Sequence, residues 1–154
     1  KQAVDLTALA RRCVREAFSR HHRRGIDLGV EVPEHAVMVS VNDWQLEEAL
    51  NNLIENASIY GASQVTVQVT DAPARLTVTD DGPGIPESQR LLMLRPFHRG
   101  QETGDGSGLG LAIVDSIARA HDIRLSLQAA HPDHPERPGL CIALNFSSDA
   151  SSDA

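Results

Sequence analysis

The sequence predicts an α+β fold in two layers, one sheet with its helices on one face. Three observations predict it. Apolar residues recur at helical spacing in three stretches, near residues 5–20, 44–60 and 109–120. Between these stretches lie short alternating runs rich in Val, Ile and Leu, bounded by Gly and Pro turns. The runs come in neighbouring pairs, as antiparallel hairpins do, and not as regular strand–helix–strand units. At 154 residues the chain fits one domain with a single sizeable core.

Taken in order, Asp5 to about Arg20 reads as a helix with Leu6, Leu9, Ala10, Cys13, Val14 and Ala17 on one face. The basic patch Arg20-His21-His22-Arg23-Arg24 suits the negative end of the helix dipole, and Gly25 is placed to stop the helix. Ile26, Leu28, Val30 and Val32 alternate, and after Pro33 so do Val37, Val39 and Val41, which predicts a strand pair. Asn42 is then an N-cap, with Gln45 three positions on as in a capping box. The helix Trp44 to Tyr60 follows, with Leu46, Ala49, Leu50, Leu53, Ile54 and Ala57 as its apolar stripe. Gly61 ends it. Val65, Val67 and Val69 form one strand and Leu76 and Val78 another, with residues 71–74 as the turn. From Asp80 to Gly108 periodicity is poor, and only Glu87 to Leu94 looks helical. A loop of that length is usually a lid or binding segment. Leu109 to about Ala120 is helical again, and runs 123–127 and 140–146 make a closing hairpin around the Pro- and His-rich turn 131–138.

A net charge of −7 argues against a nucleic-acid partner, because counterion release needs a basic surface. No run of about 18 apolar residues is present to span a membrane. The chain opens Lys1-Gln2-Ala3, so it reads as an excised fragment. Cys13 and Cys141 share no metal-ligand spacing and read as reduced thiols of a cytosolic domain.

Two features ask for chemistry. The first is a polar ladder on the second helix: Glu48, Asn52, Asn56 and Tyr60, each four residues on and therefore neighbours along the edge of the buried face. Asparagine is a mediocre helix former, so two of them in a ladder near the core need a reason. The second is a pair of glycine segments, DDGPGIP after a strand and GDGSGLGLAIV opening a helix. Glycine lets backbone approach a ligand, and a helix N-terminus favours an anion such as phosphate. The dinucleotide reading fails on context, since Gly106, Gly108 and Gly110 follow a long loop and not a strand. A P-loop also fails, because Lys1 is the only lysine.

Four ordered segments carry a resemblance: EALNNLIENASIY, DDGPGIP, RPFHRG and GSGLGLAIV. They are similar to the N box, first glycine box, F box and second glycine box of sensor histidine kinases of two-component systems. The similar region is the ATP-binding catalytic domain, in the gyrase/Hsp90/histidine kinase/MutL superfamily. The similarity covers roughly residues 5–146. It implies a Bergerat-type fold: a mixed sheet of about five strands covered on one face by three helices, with an ATP lid at about 86–107. Residues 1–147 would be the catalytic domain and 148–154 a disordered tail, with dimerisation, sensor and transmembrane regions absent.

The resemblance implies ATP and Mg²⁺ as cofactors. Asn56 matches the asparagine that ligates Mg²⁺ and Asn52 the residue that assists it; amide oxygens suit this hard cation. Asp80 matches the aspartate that accepts a hydrogen bond from the adenine amino group. Gly82, Gly84 and Ile85 would lie beside the base, and Tyr60 would pack on it, although a core aromatic serves as well there. Gly106, Ser107, Gly108, Leu109 and Gly110 match the lid hinge and phosphate-contacting backbone. Arg99 resembles an F-box arginine near the γ-phosphate, with a solvated loop arginine as the other reading, and Phe97 an anchor of the lid. Glu48 resembles the acidic start of the N box, placed to orient a nucleophile or simply solvated.

Departures from the pattern are informative. Ile59 stands where many sensor kinases carry Lys or Arg, and Leu94 where the F box often begins with Phe. Asn52 stands where the ATPases of the superfamily have a general-base Glu, and an amide cannot take a proton from water. None of the seven histidines has the acceptor context of the family. The resemblance therefore implies a domain that binds Mg-ATP and, in the whole protein, passes the γ-phosphoryl to a histidine of a dimerisation domain for relay to a response regulator. It implies a monomeric fragment of a homodimeric, bacterial inner-membrane sensor, with this domain cytoplasmic. An ATPase or serine-directed kinase of the superfamily, or a nucleotide-binding interaction module, stands as the alternative.

Overall fold

The computed structural model describes residues 1–59, 61–95 and 110–146. Strand β1 (Gln2–Asp5) runs directly into helix α1 (Leu6–Arg23), and β2 (Asp27–Glu31) and β3 (Met38–Val41) follow. Next come α2 (Asp43–Ile59), β4 (Gln64–Thr70), β5 (Arg75–Asp80), the single turn α3 (Glu87–Arg90) and a 3₁₀ turn at Leu92–Leu94. Helix α4 (Gly110–Ala120), β6 (Arg124–Gln128) and β7 (Leu140–Asn145) close the chain. The class is the expected one, α+β.

Five strands form a mixed sheet in the order β2-β4-β5-β7-β6, with β2 and β4 parallel and the other pairs antiparallel. The register aligns Val67 with Val78, Val78 with Ile142 and Ile142 with Leu127, and Val69, Leu76, Leu144 and Leu125 likewise. These rows share one face, because side chains alternate along a strand. Helices cover that face: α1 packs on β2 and β4, α2 on β4 and β5, and α4 on β6. Helix α2 lies between α1 and α4 and touches both.

Two expectations need correction. The runs 26–32 and 37–41 do not pair with each other: β2 lies parallel to β4, while β3 pairs with β1. Residues 32–37 hold no tight hairpin turn and are tied elsewhere. The Thr7 hydroxyl donates to the His35 carbonyl at 3.1 Å, and the His35 ring meets Asp71 of the β4–β5 turn at 3.0 Å. The second correction is β1 itself. Gln2–Asp5 has no alternation of its own, and its strand conformation comes from its partner β3. Asp5 then caps α1, its Oδ1 accepting from the Thr7 amide at 3.0 Å and the Val37 amide at 3.1 Å.

Helix α1 ends as the sequence implies. Gly25 has φ +78°, and the Ile26 amide reaches back to the His21 carbonyl at 2.9 Å. Among the described residues no helix is long and apolar enough to cross a membrane.

Candidate functional site

Helix α2 is started by Asn42, whose Oδ1 accepts from the Gln45 amide at 2.9 Å. Leu46, Ala49, Leu50, Leu53, Ile54 and Ala57 are all buried, which fixes how the helix is turned about its axis. The polar ladder therefore lies along its edge: Glu48 is exposed, Asn52 and Asn56 half-buried. Asn52 Nδ2 donates to the Glu48 carbonyl one turn back at 2.8 Å. That bond fixes the amide and leaves its oxygen turned toward α4. A Cβ on Gly110 would sit 3.6 Å from Asn52 Oδ1. The first turn of α4, whose N–H groups have no partner within the helix and which carries the positive dipole end, thus borders the ladder.

The third wall is the segment after β5. Asp80 pairs in register with Val65 and Leu140, so it continues the helix-facing row of Leu76 and Val78. A carboxylate at an apolar row position is where a ligand contact is expected. Burial raises the Asp80 pKa above the ordinary carboxylate value; the Gly82 and Leu140 amides oppose this, the Asp81 charge adds to it, and Arg137 opposes it. Its Oδ1 accepts from the Gly82 amide at 2.8 Å.

Asp81 does different work. Burial pushes its pKa up, but the Ser63 hydroxyl, the Gln64 and Ser63 amides and Arg137 outweigh that, and the net shift is downward. It accepts from Ser63 Oγ at 2.6 Å, Ser63 N at 2.8 Å and Gln64 N at 2.9 Å. Asp81 ties the loop to the start of β4, which leaves Asp80 as the carboxylate of the pair that faces the helices.

Gly82 is buried, Gly84 and Ile85 half-buried. A Cβ on Gly61 would lie 3.8 Å from Pro83 Cδ, so the loop passes the C-terminal end of α2. Gly84 has φ +76°, and a Cβ there would come within 2.9 Å of both the Gly139 carbonyl and Pro138 Cγ. The structure therefore sets Gly110 of α4 beside Asn52, while the loop that carries Asp80, Gly82, Gly84 and Ile85 passes the C-terminal end of α2, the helix that also bears Asn56. Glu48 lies beside Asn52 on the outer side of α2. Tyr60, Phe97, Arg99, Gly106, Ser107, Gly108 and Leu109 lie outside the described residues, as do the Ile59 side chain, the tail and most of the expected lid.

Three residues that no motif marks hold the loop. The Gly139 amide donates to the Gly82 carbonyl at 2.9 Å, Arg137 pairs with Asp81 at 3.9 Å while its Nη2 donates to the Gly61 carbonyl at 3.0 Å, and Arg90 Nε donates to the Ile85 carbonyl at 3.0 Å. Only the Pro138-Gly139 dipeptide before β7 gives any sequence signal, that of a turn.

No group of three or more His, Cys, Asp or Glu that could hold a metal exists among the described residues. The donor set is instead a pair of amides beside a helix N-terminus. That suits a hard cation arriving with phosphate oxygens and its own water, and not an all-protein cage.

Comparison with known proteins identifies the family and the fold. Residues 41–149 match the family described as histidine kinase-, DNA gyrase B-, and HSP90-like ATPase. The two-component sensor PhoQ of Pseudomonas aeruginosa is 36% identical over 111 residues, which cover 71% of this chain and 24% of that protein. The signal transduction histidine-protein kinase BaeS of Escherichia coli K12 is 34% identical over 142 residues, covering 85% of this chain and 29% of that protein. The chain thus spans about a quarter of the length of the curated relatives it matches. Among solved structures, the mycobacterial sensor histidine kinase MprB superposes with a TM-score of 0.80 at 31% identity, over 94% of this chain and 95% of that one.

Proposed function

The chain belongs to the histidine kinase-, DNA gyrase B-, and HSP90-like ATPase family, and on that premise we propose that it binds Mg-ATP as the catalytic domain of a two-component sensor histidine kinase. In the whole protein the γ-phosphoryl passes to a histidine of the dimerisation domain and from there to a response regulator. The domain works on the cytoplasmic side of a bacterial inner-membrane sensor.

One observation carries the reading: the first turn of α4 at Gly110 faces an oriented amide at Asn52, while a half-buried carboxylate, Asp80, lies on the row of β5 that faces α2. Phosphates suit the first, because free N–H groups and the dipole favour anions. An exocyclic amine suits the second, because a desolvated carboxylate gains most from a donor. Adenine at Asp80, Gly82, Gly84 and Ile85 with phosphates at Gly110 uses both groups. Asn52 and Asn56 would hold a Mg²⁺ carried by the phosphates, which supplies charge neutralisation when bound.

The residues of the chain then do positioning, not covalent chemistry. Asp80 fixes the base, Tyr60 packs on it, and Gly106, Ser107, Gly108 and Leu109 close on the phosphates with Arg99. Glu48 faces the incoming acceptor. Asn52 in place of a carboxylate leaves water without a base beside the γ-phosphate, which favours transfer over hydrolysis.

Calorimetric titration with Mg-ATP tests this. Binding by the parent and its loss in Asp80→Asn are expected, followed by phosphohistidine when a separately expressed dimerisation domain is added. Absence of heat at millimolar Mg-ATP overturns the nucleotide reading, and binding without phosphohistidine overturns the kinase reading.

A further inference from the structure

Trp44 is 83% exposed in the first turn of α2 and is the single tryptophan of the chain. An indole left this open contributes little to the fold, and tryptophan beside a groove is a frequent anchor for a binding partner. It stands at one end of a groove of about 590 Å³, lined by Trp44, Glu47, Glu48, Asn52 and Glu55 of α2 and by Arg20 of α1.

The three carboxylates of this groove are not equivalent. Glu47 is held by Arg12 at 2.7 Å, and Glu55 by Arg24 at 3.2 Å and Arg20 at 3.6 Å. Glu48 has no ion pair among the described residues. Trp44 and Glu48 are four apart on one helix and are surface neighbours. The groove therefore offers an aromatic face next to an uncompensated carboxylate, and it runs on to Asn52.

We propose that this groove receives the segment flanking the phosphoryl-accepting histidine, through an Arg or Lys of that segment that stacks on Trp44 and pairs with Glu48. The proposal rests on the kinase reading, in which the acceptor must reach the phosphates past Asn52 from the outer side of α2. A cation over indole with a carboxylate beside it satisfies both exposed groups at once. An acidic segment would meet Glu47, Glu48 and Glu55, and a wholly apolar one would strip water from Glu48 with no partner in exchange. Charge complementarity selects the basic flank. Trp44 and Glu48 are then positioning residues that choose the acceptor and set its approach.

The test uses two helical 20-residue peptides, each with one histidine, identical except for Arg or Glu four positions before it. Trp44 fluorescence follows the titration. The Arg peptide is expected to bind about tenfold more tightly than the Glu peptide. By calorimetry Trp44→Ala loses that preference and Glu48→Lys reverses it, whereas Glu136→Lys, in the distant 131–138 turn, leaves it in place. Equal affinities, no binding of the Arg peptide at millimolar concentration, or an equal shift in Glu136→Lys would overturn the proposal. So would a dimer of this chain in sedimentation that Trp44→Ala abolishes, since the groove would then hold a second copy. Mg-ATP affinity of Trp44→Ala is expected to equal that of the parent. Failure of the parent to bind Mg-ATP would sink the kinase reading, while the peptide series still decides what the groove selects.

Discussion

Gly139→Ala is the most informative single change in this molecule, because Gly25→Ala supplies its control. Both glycines hold a left-handed backbone, φ +68° at Gly139 and +78° at Gly25. A Cβ in that region costs about 1–2 kcal/mol whatever surrounds it. At Gly25 nothing lies within 4 Å of the added atom, so that cost is the whole effect. At Gly139 the added Cβ would overlap the backbone carbonyl oxygen of Asp80, which cannot rotate away as a side chain would. The loop must move, and the bond from the Gly139 amide to the Gly82 carbonyl is strained or lost, roughly 0.5–1.5 kcal/mol more. A destabilisation of about 3 kcal/mol is expected, a fall in Tm of roughly 6–12 °C for a domain of this size. Asp80 moves with its own carbonyl, and a site needs its contacts within about 0.5 Å, so Mg-ATP affinity should fall by about tenfold or more. Urea unfolding and Mg-ATP calorimetry on both variants measure this. If Gly139→Ala costs no more than Gly25→Ala and binds nucleotide as the parent does, the claim that Gly139 positions the Asp80 loop is wrong.

Other changes probe separate parts of the site. On the proposed function, Asn52→Glu would place a base beside the phosphates and should raise ATP hydrolysis by the isolated chain; an unchanged phosphate release rate would count against the general-base argument. Asp80→Asn should remove Mg-ATP binding and also alter the pH dependence of stability. Because burial raises the folded pKa of Asp80 above 3.8, the parent's stability from this group is fully present below pH 3.8 and is lost as pH rises through the folded pKa. The stability of Asp80→Asn relative to the parent should therefore grow with pH above 3.8 in thermal melts, and a falling difference would refute the sign. Burial first, then Glu47, pushes the Cys13 thiol up to about 12, with Arg12 opposing. Since Cys13 is fully buried and Cys141 half-buried, a thiol reagent at pH 8 should label Cys141 in the folded chain and both only after denaturation. Two fast thiols in the native state would contradict this packing.

What could be read in the sequence was what is local. Helix faces, the Asn42 cap, the Gly25 and Gly61 stops and both later hairpins follow from spacing and turn chemistry within a few residues. Strand pairing across a helix does not. The runs at 26–32 and 37–41 looked like partners because they are adjacent, yet the chain places α2 between β3 and β4 and lays β4 parallel to β2. Nothing in Gln2–Asp5 marks a strand until β3 is beside it. The same division holds for the site. The four boxes marked Asn52, Asn56, Asp80 and the glycines in sequence. Gly139 and Arg137, which hold the loop from the far end of the chain, belong to no box and are seen only when β7 lies against β5.

Helix α2 shows how one element can carry both the fold and the site. The two asparagines of its ladder, Asn52 and Asn56, cost about 1 kcal/mol together relative to good helix formers. Full burial of Leu46, Leu50, Leu53 and Ile54 contributes roughly 6–12 kcal/mol, so the apolar stripe alone fixes the helix and leaves the edge free for chemistry. On that edge the internal bond from Asn52 Nδ2 to the Glu48 carbonyl does something a carboxylate could not. An aspartate of nearly the same shape has no N–H to donate, and its carboxylate would be repelled by the carbonyl that holds Asn52. The amide is therefore the side chain that can present an oxygen to a cation while being steadied by its own helix. It is also the side chain that cannot act as a base toward water. On the proposed function, one residue type meets both demands of a domain that holds ATP for transfer.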